Sequence, residues 1–185
     1  TFTRPVADLR VGILTIREKW QRMLPGEYSY LTADYLQEKY PMKECDDNLF
    51  VAGNVCPTAE LVSKIEGLNK NEALKSAEGD LLGFRGSVDD FISCKYANEI
   101  ESSCNCIKIK MLYDIFMENH RGIVDDFALL TKNRISQPLS DTNTVIGNPV
   151  ADDGNPLIFI EEGAVVEGAM LNVKNGPIYV GRNAE

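Results

Sequence analysis

The chain has 185 residues, of which 44% are hydrophobic and 25% charged, and its formal net charge at pH 7 is −9. This length and composition predict a globular protein of one domain or slightly more, with enough apolar residues to form a core. The negative charge disfavours binding to nucleic acid or to anionic membranes, and no apolar run approaches the roughly 18 residues that a membrane span needs.

The cysteines indicate a reducing compartment. Their number is odd, Cys104 and Cys106 are too closely spaced for a zinc ribbon, and His120 is the only histidine. The start of the chain does not have the pattern of a signal peptide. We therefore predict a cytoplasmic protein with free thiols and no metal site built from these residues.

The chain opens with a loop over residues 1–10, in which Pro5 keeps Arg4 out of the helical region. Between Gly12 and Leu24 apolar residues recur at helical spacing, with charged residues between them, which predicts an amphipathic helix. Trp20 lies on the apolar face of this helix and is expected in the core.

Residues 48–55, NLFVAGNV, form a short apolar run that favours a buried strand of a parallel sheet. Thr58 then begins a helix that ends at Gly67. A strand, a loop and a helix in this order are typical of α/β proteins, which bind ligands at the carboxyl ends of their strands.

Further along, residues 72–85 predict a hairpin with its turn at Glu78-Gly79-Asp80. Residues 107–119 predict a helix, and a second helix follows Gly122; Phe116 and Phe127 are expected in the core. The polar stretch that comes next is rich in Asn, Asp, Ser, Pro and Gly. We place a linker at 136–156, after an α/β domain over 1–135 and before a tail over 157–185.

The tail contains six-residue units that open at Ile160, Val166 and Val180, each with a small residue near the expected corner. Repeats of six residues are the mark of a parallel β-helix. The alternative is an ordinary hairpin around Asn175-Gly176. Since a β-helix coil needs neighbouring coils, and the chain starts at Thr1 without a Met, we expect this sequence to be a segment of a longer protein.

Several stretches together resemble one family. They are TFTRPVADLRVGILTIREKW, LYDIFMEN, DFALLT, SQPLSDTNTVIG and IFIEEGAVVEGAMLN with GPIYVGRNAE. The family is the divergent bacterial branch of the bifunctional UDP-N-acetylglucosamine diphosphorylase and glucosamine-1-phosphate N-acetyltransferase.

The resemblance implies a Rossmann-like nucleotidyltransferase domain followed by the first coils of a left-handed β-helix. It further implies a homotrimer formed through that helix, with acetyl-CoA as the acyl donor, and a catalytic histidine on later coils. No catalytic residue is assigned within this sequence. The glycine-rich phosphate loop of the family would lie before Thr1.

The resemblance also suggests substrate-binding residues. Arg4-Pro5 falls where the family has a Lys/Arg-Pro step, so Arg4 is a candidate phosphate ligand, and guanidinium groups bind phosphate well. Arg10 precedes the predicted helix at Gly12 and is a candidate for an anion site at its N-terminus. The alternative for Arg4 is an ion pair with a surface carboxylate such as Asp8.

Asn54 stands where active members of the family have an aspartate that ligates Mg²⁺. An amide oxygen ligates the metal without neutralising charge, which puts Mg²⁺-dependent uridylyl transfer in doubt; a simple turn residue is the alternative. In the linker, Asp141 and Asn143 are candidates for ligand contact near the domain junction.

These observations leave two hypotheses of different classes. In the first, the protein is an enzyme of sugar-nucleotide synthesis that transfers a nucleotidyl group, an acetyl group or both. In the second, the α/β domain has lost catalysis and binds a sugar phosphate or nucleotide as a regulatory module on a β-helix trimer.

Overall fold

The computed structural model describes residues 2–185; Thr1, the first residue of the predicted loop, lies outside them. The chain divides into two compact units, with the boundary between Phe116 and Met117. Within residues 2–185 no helix is both long enough and apolar enough to cross a membrane.

Residues 2–185 contain both helices and strands, and the last four elements are all strands. The helices are α1 (Ile16–Met23), α2 (Asp34–Gln37), α3 (Ala59–Glu66), α4 (Val88–Ile92) and α5 (Leu112–Thr131), with a 3-10 turn at Val6–Asp8. The strands are β1 (Asn48–Val51), β2 (Glu72–Ser76), β3 (Leu81–Gly86), β4 (Asn98–Ser102), β5 (Thr144–Ile146), β6 (Ile158–Ile160), β7 (Met170–Asn172) and β8 (Ile178–Val180).

A four-stranded sheet in the order β1-β3-β2-β4 forms the centre of the first unit. Strands β2 and β3 pair antiparallel, which confirms the predicted hairpin. β1 is antiparallel to β3, and β4 is parallel to β2. The sheet is therefore mixed, and the predicted α/β class is confirmed at that level.

The prediction for β1 was wrong in two respects: the strand is not parallel to its partner, and it is not fully buried. It lies at the edge of the sheet beside β3, and Leu49 is 37% exposed. A run of apolar residues indicates a strand but not its orientation. The orientation of β1 depends on its pairing with β3, the second strand of the hairpin.

Helix α3 follows its local sequence signals. The Thr58 hydroxyl accepts a hydrogen bond from the Leu61 amide at 3.2 Å, and the helix is followed by Gly67, as predicted. Its buried face lies on the sheet so closely that a Cβ on Gly83 would meet Ile65 Cγ1 at 2.9 Å. A glycine in β3 therefore sets the helix-to-sheet distance.

The two helices predicted over 107–131 are one helix, α5. It begins at Leu112 because the Asp114 carboxylate accepts the amides of Lys110 and Met111, at 2.8 and 2.7 Å. The segment before it is extended, with an isolated bridge between Val55 and Lys108. Gly122 does not end the helix; it is a buried position within it.

The aromatic core residues were predicted with mixed success. Trp20 is 1% exposed, and its indole donates to the Val55 carbonyl at 2.8 Å. Phe127 is buried as well. Phe116 is 83% exposed, so its assignment to the core was wrong: helical spacing alone does not show which turns of a helix are covered.

The strands of the second unit form two parallel pairs. β5 lies beside β7, and β6 lies beside β8. The tail therefore does not form a hairpin around Asn175-Gly176, since β7 and β8 belong to different pairs. β5 lies inside the stretch 136–156 for which the sequence predicts a linker, so part of that stretch pairs with the tail.

Candidate functional site

A cavity of about 640 Å³ opens in the first unit among the 3-10 turn, α1, the loop after it and β1. Its wall is mainly apolar; the aromatic residues are Trp20, Tyr28, Tyr30, Phe50 and Phe91. The charged lining residues are Arg17, Glu27, Lys43 and Asp47. An apolar wall with a few polar groups is typical of small-molecule sites, and we take this cavity as the candidate site.

The start of α1 places Arg17 at this cavity. The Thr15 hydroxyl accepts from the Glu18 amide at 3.2 Å, and the Glu18 carboxylate accepts from the Thr15 amide at 2.7 Å. This reciprocal capping box begins the helix at Ile16 rather than near Gly12. Burial opposes ionisation of Glu18, but the hydrogen bonds from Thr15 hold the pKa of its carboxyl below the usual value.

Asp8, Arg17 and Tyr30 form a hydrogen-bonded network at the cavity wall. Arg17 Nε donates to Asp8 Oδ1 at 2.6 Å. The Tyr30 hydroxyl donates to the same carboxylate, 2.9 Å from Oδ1 and 3.1 Å from Oδ2. The Asp8 side chain is 14% exposed and that of Arg17 is 34% exposed, so the carboxylate is the more enclosed partner.

Arg17 and Tyr30 have defined protonation states near neutral pH. The hydrogen bond to Asp8 raises the pKa of Arg17 above its usual value, so the guanidinium stays charged. Burial, with the hydrogen bond to Asp8, raises the pKa of Tyr30 to about 12. Tyr30 therefore remains a neutral phenol that donates its proton to the carboxylate.

Gly53 brings the end of β1 against the 3-10 turn. A Cβ at this position would lie 3.3 Å from Val6 Cγ1 and 3.4 Å from Ala7 Cβ. The segments after Arg4-Pro5 and before Asn54 therefore meet at the cavity, where Pro5 and Gly53 are both lining residues.

Neither arginine suggested by the sequence lies in the cavity wall. Arg4 and Arg10 are exposed, and Arg10 donates through Nη1 to the Ile13 carbonyl. Helix α1 begins at Ile16 rather than at Gly12, and Glu18 lies at its N-terminus. The parts of Arg4 and Arg10 in substrate binding stay predictions. Asp8, which the sequence suggested as a partner of Arg4, forms an ion pair with Arg17.

Asn54 fastens two backbone segments together. The side-chain Nδ2 of Asn54 donates to the Ile109 backbone carbonyl at 3.2 Å, and the backbone carbonyl of Asn54 accepts from the Ile109 amide at 2.8 Å. The side chain is half-buried after β1. This geometry gives Asn54 a structural role; its part in substrate binding stays a prediction.

The donor set around Asn54 does not fit a magnesium ion held by the protein. Mg²⁺ prefers carboxylate and phosphate oxygens, whereas Asn54 offers a neutral amide that is already oriented by Ile109. Among residues 2–185, no group of three or more His, Cys, Asp or Glu side chains is arranged to hold a metal ion.

The remaining two candidates belong to the second unit. Asn143 donates to the carbonyls of Ser140 and Val166, at 3.0 and 2.7 Å, and accepts from the Ala169 amide at 2.9 Å. Its amide is thus committed to bonds within this unit. Asp141 is exposed in the turn before β5, and its contact with ligand stays a prediction.

The residues that the sequence reasoning missed are Asp8, Arg17 and Tyr30. One local signal was available for Arg17: Thr15 followed three residues later by Glu18 is a capping-box pattern, which places Arg17 in the first turn of the helix. No local pattern indicates that Tyr30 joins the same carboxylate.

The first unit is a mixed α/β domain with a cavity beside the carboxyl end of an edge strand, an arrangement typical of small-molecule-binding α/β proteins. Residues 1–135 match the family described as sugar nucleotidyl transferase. The match covers well over half of the chain, so the chain belongs to this family of transferases, which act in sugar-nucleotide synthesis. No curated protein and no solved structure was found to match.

Proposed function

We propose that the first unit binds a nucleotide and a sugar 1-phosphate in its cavity and transfers a nucleotidyl group between them, in a pathway of the UDP-N-acetylglucosamine type. One observation carries this proposal. The cavity lies where the turn after Arg4-Pro5 contacts the strand end at Gly53, and the family resemblance assigns substrate binding to these two segments.

In this reaction a phosphate oxygen of the sugar phosphate attacks the α-phosphorus of the nucleoside triphosphate, and pyrophosphate leaves. The protein contributes positioning and stabilisation of negative charge rather than covalent chemistry. The aromatic wall of the cavity, which includes the half-buried Tyr28 and Phe50, offers apolar faces for the base and excludes water around the phosphates.

A second candidate function is favoured by Asn54. A neutral amide tied to Ile109 stands where the family has a metal-binding aspartate. This favours a domain that binds the same ligands without transferring the nucleotidyl group, and that acts as a regulatory module.

The two functions are separated by measuring binding and turnover on the same preparation. Calorimetric titration with UTP and with N-acetylglucosamine 1-phosphate, with and without Mg²⁺, measures binding; release of pyrophosphate from the mixture measures transfer. An enzyme that transfers the nucleotidyl group should show both binding and pyrophosphate release. A regulatory module should show binding without pyrophosphate release. The absence of binding at millimolar ligand would contradict both functions.

We propose further that the second unit is the beginning of a left-handed parallel β-helix. Its two parallel strand pairs support this proposal, and a contact between Val165 and Ala184, whose backbone N···O distance is 2.8 Å, provides a third stacked edge. Gly163 and Asn183, which follow the paired strands β6 and β8, both have positive φ, at 76° and 55°. Corners that repeat with the strands are expected of β-helix coils.

The acetyl-transfer part of the proposal rests on this tail. A β-helix of this family would bind acetyl-CoA and assemble a homotrimer. The attacking sugar amine would be deprotonated by a histidine on later coils, for which no residue of this sequence is assigned. Light scattering tests the assembly in a protein that carries further coils: a mass of three chains is expected, and a monomer would contradict it. Acetylation of glucosamine 1-phosphate by the same sample tests the activity.

A further inference from the structure

Arg17 differs from the other arginines of the first unit in its position. It is a lining residue of the cavity, whereas Arg4, Arg10, Arg22 and Arg85 are not. The other cationic lining residue, Lys43, forms an exposed ion pair with Glu27. Arg17 is therefore a cation that lines the cavity and is also bonded to a carboxylate of the protein, that of Asp8.

We propose that Arg17 binds a phosphate group of the ligand in this cavity, and that Asp8 and Tyr30 are the positioning residues that hold its guanidinium. The inference deepens the proposed function and rests on it, because the ligand must carry a phosphate. It assigns the phosphate contact to a residue other than Arg4 and Arg10.

The hydrogen bonds of Arg17 leave donors for a ligand. Nε is bonded to Asp8 at 2.6 Å and Nη1 to Gln21 at 3.2 Å. Within residues 2–185, Nη2 has no hydrogen-bond acceptor, and a guanidinium has more N–H donors than these two contacts use. The end of the side chain therefore presents a planar fork, the geometry that suits a phosphate.

The positioning network makes this arrangement more than a surface ion pair. Asp8 accepts from Tyr30 as well as from Arg17, and the ring of Tyr30 packs edge-on against Tyr40 with centroids 5.4 Å apart. The carboxylate is thus held by two partners from different segments. A side chain that is already ordered loses less conformational entropy when it binds a ligand.

The test measures the affinity of the full chain for UTP and for inorganic pyrophosphate by calorimetry, with the melting temperature recorded without ligand. In Arg17→Ala we expect both affinities to fall at least tenfold. Arg17→Lys keeps the charge but not the fork, and its affinity should lie between those of the wild type and the alanine variant. Arg22→Ala, on the same helix but outside the cavity, should bind like the wild type.

Tyr30→Phe tests the positioning role. It should weaken UTP binding by a smaller factor than Arg17→Ala, and it should have no further effect when combined with Arg17→Ala, because the group that it positions is then gone. Additive losses in the double variant would overturn the positioning role of Tyr30.

The remaining outcomes separate this inference from the proposed function. A wild type that binds neither probe would overturn both. A wild type that binds UTP while Arg17→Ala binds equally well, with a lower melting temperature, would make Arg17 a structural ion pair and overturn this inference alone. If the alanine variant does not fold, an unchanged affinity in Arg17→Lys leads to the same conclusion.

Discussion

Tyr179 of β8 donates a hydrogen bond from its phenolic hydroxyl to the carboxylate of Glu161, the residue that follows β6. Arg134 approaches the same carboxylate, with Nη2 2.9 Å from Oε2, and its guanidinium lies over the ring of Phe159. The rings of Phe159 and Tyr179 stack at 5.7 Å. One carboxylate thus joins the two parallel strands of a pair to the segment after α5.

Replacing Glu161 with Gln should destabilise the second unit. The hydrogen bond from Tyr179, with a smaller effect of Arg134, lowers the pKa of Glu161 although burial opposes it. The carboxylate is largely enclosed by its partners, and we expect a loss of about 1 kcal/mol in the free energy of unfolding. Urea denaturation at neutral pH measures it. The exposed Glu162 is the control, and Glu162→Gln should change stability by less than about 0.5 kcal/mol.

The same contact predicts a pH dependence. Because the folded-state pKa of Glu161 lies below that of the unfolded chain, its contribution is complete above the unfolded value of about 4.3 and is lost as the pH falls through the folded value. The stability difference between wild type and Glu161→Gln should therefore shrink on acidification below about pH 4. A difference that stays constant as the pH falls further below about 4 would argue against the ionised contact.

Gly53→Ala should loosen the cavity wall. The added Cβ would press on Val6 and Ala7 at 3.3 and 3.4 Å, so the turn must move by a few tenths of an ångström. We expect a loss of about 1 kcal/mol together with weaker UTP binding, measured by denaturation and calorimetry. Gly26 also lines the cavity, but a Cβ there meets nothing within 4 Å. Gly26→Ala should leave stability nearly unchanged, and equal effects at both positions would contradict the packing argument.

The elements that could be predicted from sequence are those built from neighbouring residues. The β2–β3 hairpin follows from the turn at Glu78-Gly79-Asp80, and α3 follows from Thr58 and Gly67. The order of the sheet could not be predicted, because β4 has the polar sequence NEIES and joins β2 through contacts distant in the chain.

The candidate site shows the same limit. Arg4 and Arg10 were suggested by their positions in the sequence, whereas Arg17 reaches the cavity through partners in two other segments, Asp8 and Tyr30. The capping-box pattern places Arg17 in the first turn of α1, but no local pattern shows that Arg17 lines the cavity and Arg22 does not. Side chains that act through distant partners require the tertiary structure to be identified.

Asn143→Ala should destabilise the second unit without affecting ligand binding. The change removes bonds to the Ser140 and Val166 carbonyls and to the Ala169 amide, and leaving such groups unpaired costs about 1–3 kcal/mol. Asp141→Ala, at an exposed neighbouring position, should be close to neutral. Denaturation and UTP titration of both variants check this. An intact stability with reduced affinity in Asn143→Ala would favour the ligand contact that the sequence suggests for Asn143.

Asn54→Asp tests whether this position can hold the carboxylate that the resemblance suggests for it. The substitution replaces the Nδ2 donor with an oxygen that faces the Ile109 carbonyl across 3.2 Å, so a hydrogen bond becomes a repulsion. We expect a loss of about 1–2 kcal/mol in the free energy of unfolding. The control is Asn172→Asp. The side chain of Asn172 accepts a hydrogen bond from the Lys174 amide, and a carboxylate can accept the same bond. Thermal melting with and without millimolar Mg²⁺ then addresses the metal. Because no group of three or more His, Cys, Asp or Glu side chains among residues 2–185 is arranged to hold a metal ion, Mg²⁺ should not recover the lost stability. Recovery specific to Asn54→Asp would show that the surrounding groups complete a magnesium site, and it would weigh against a binding module without transferase activity.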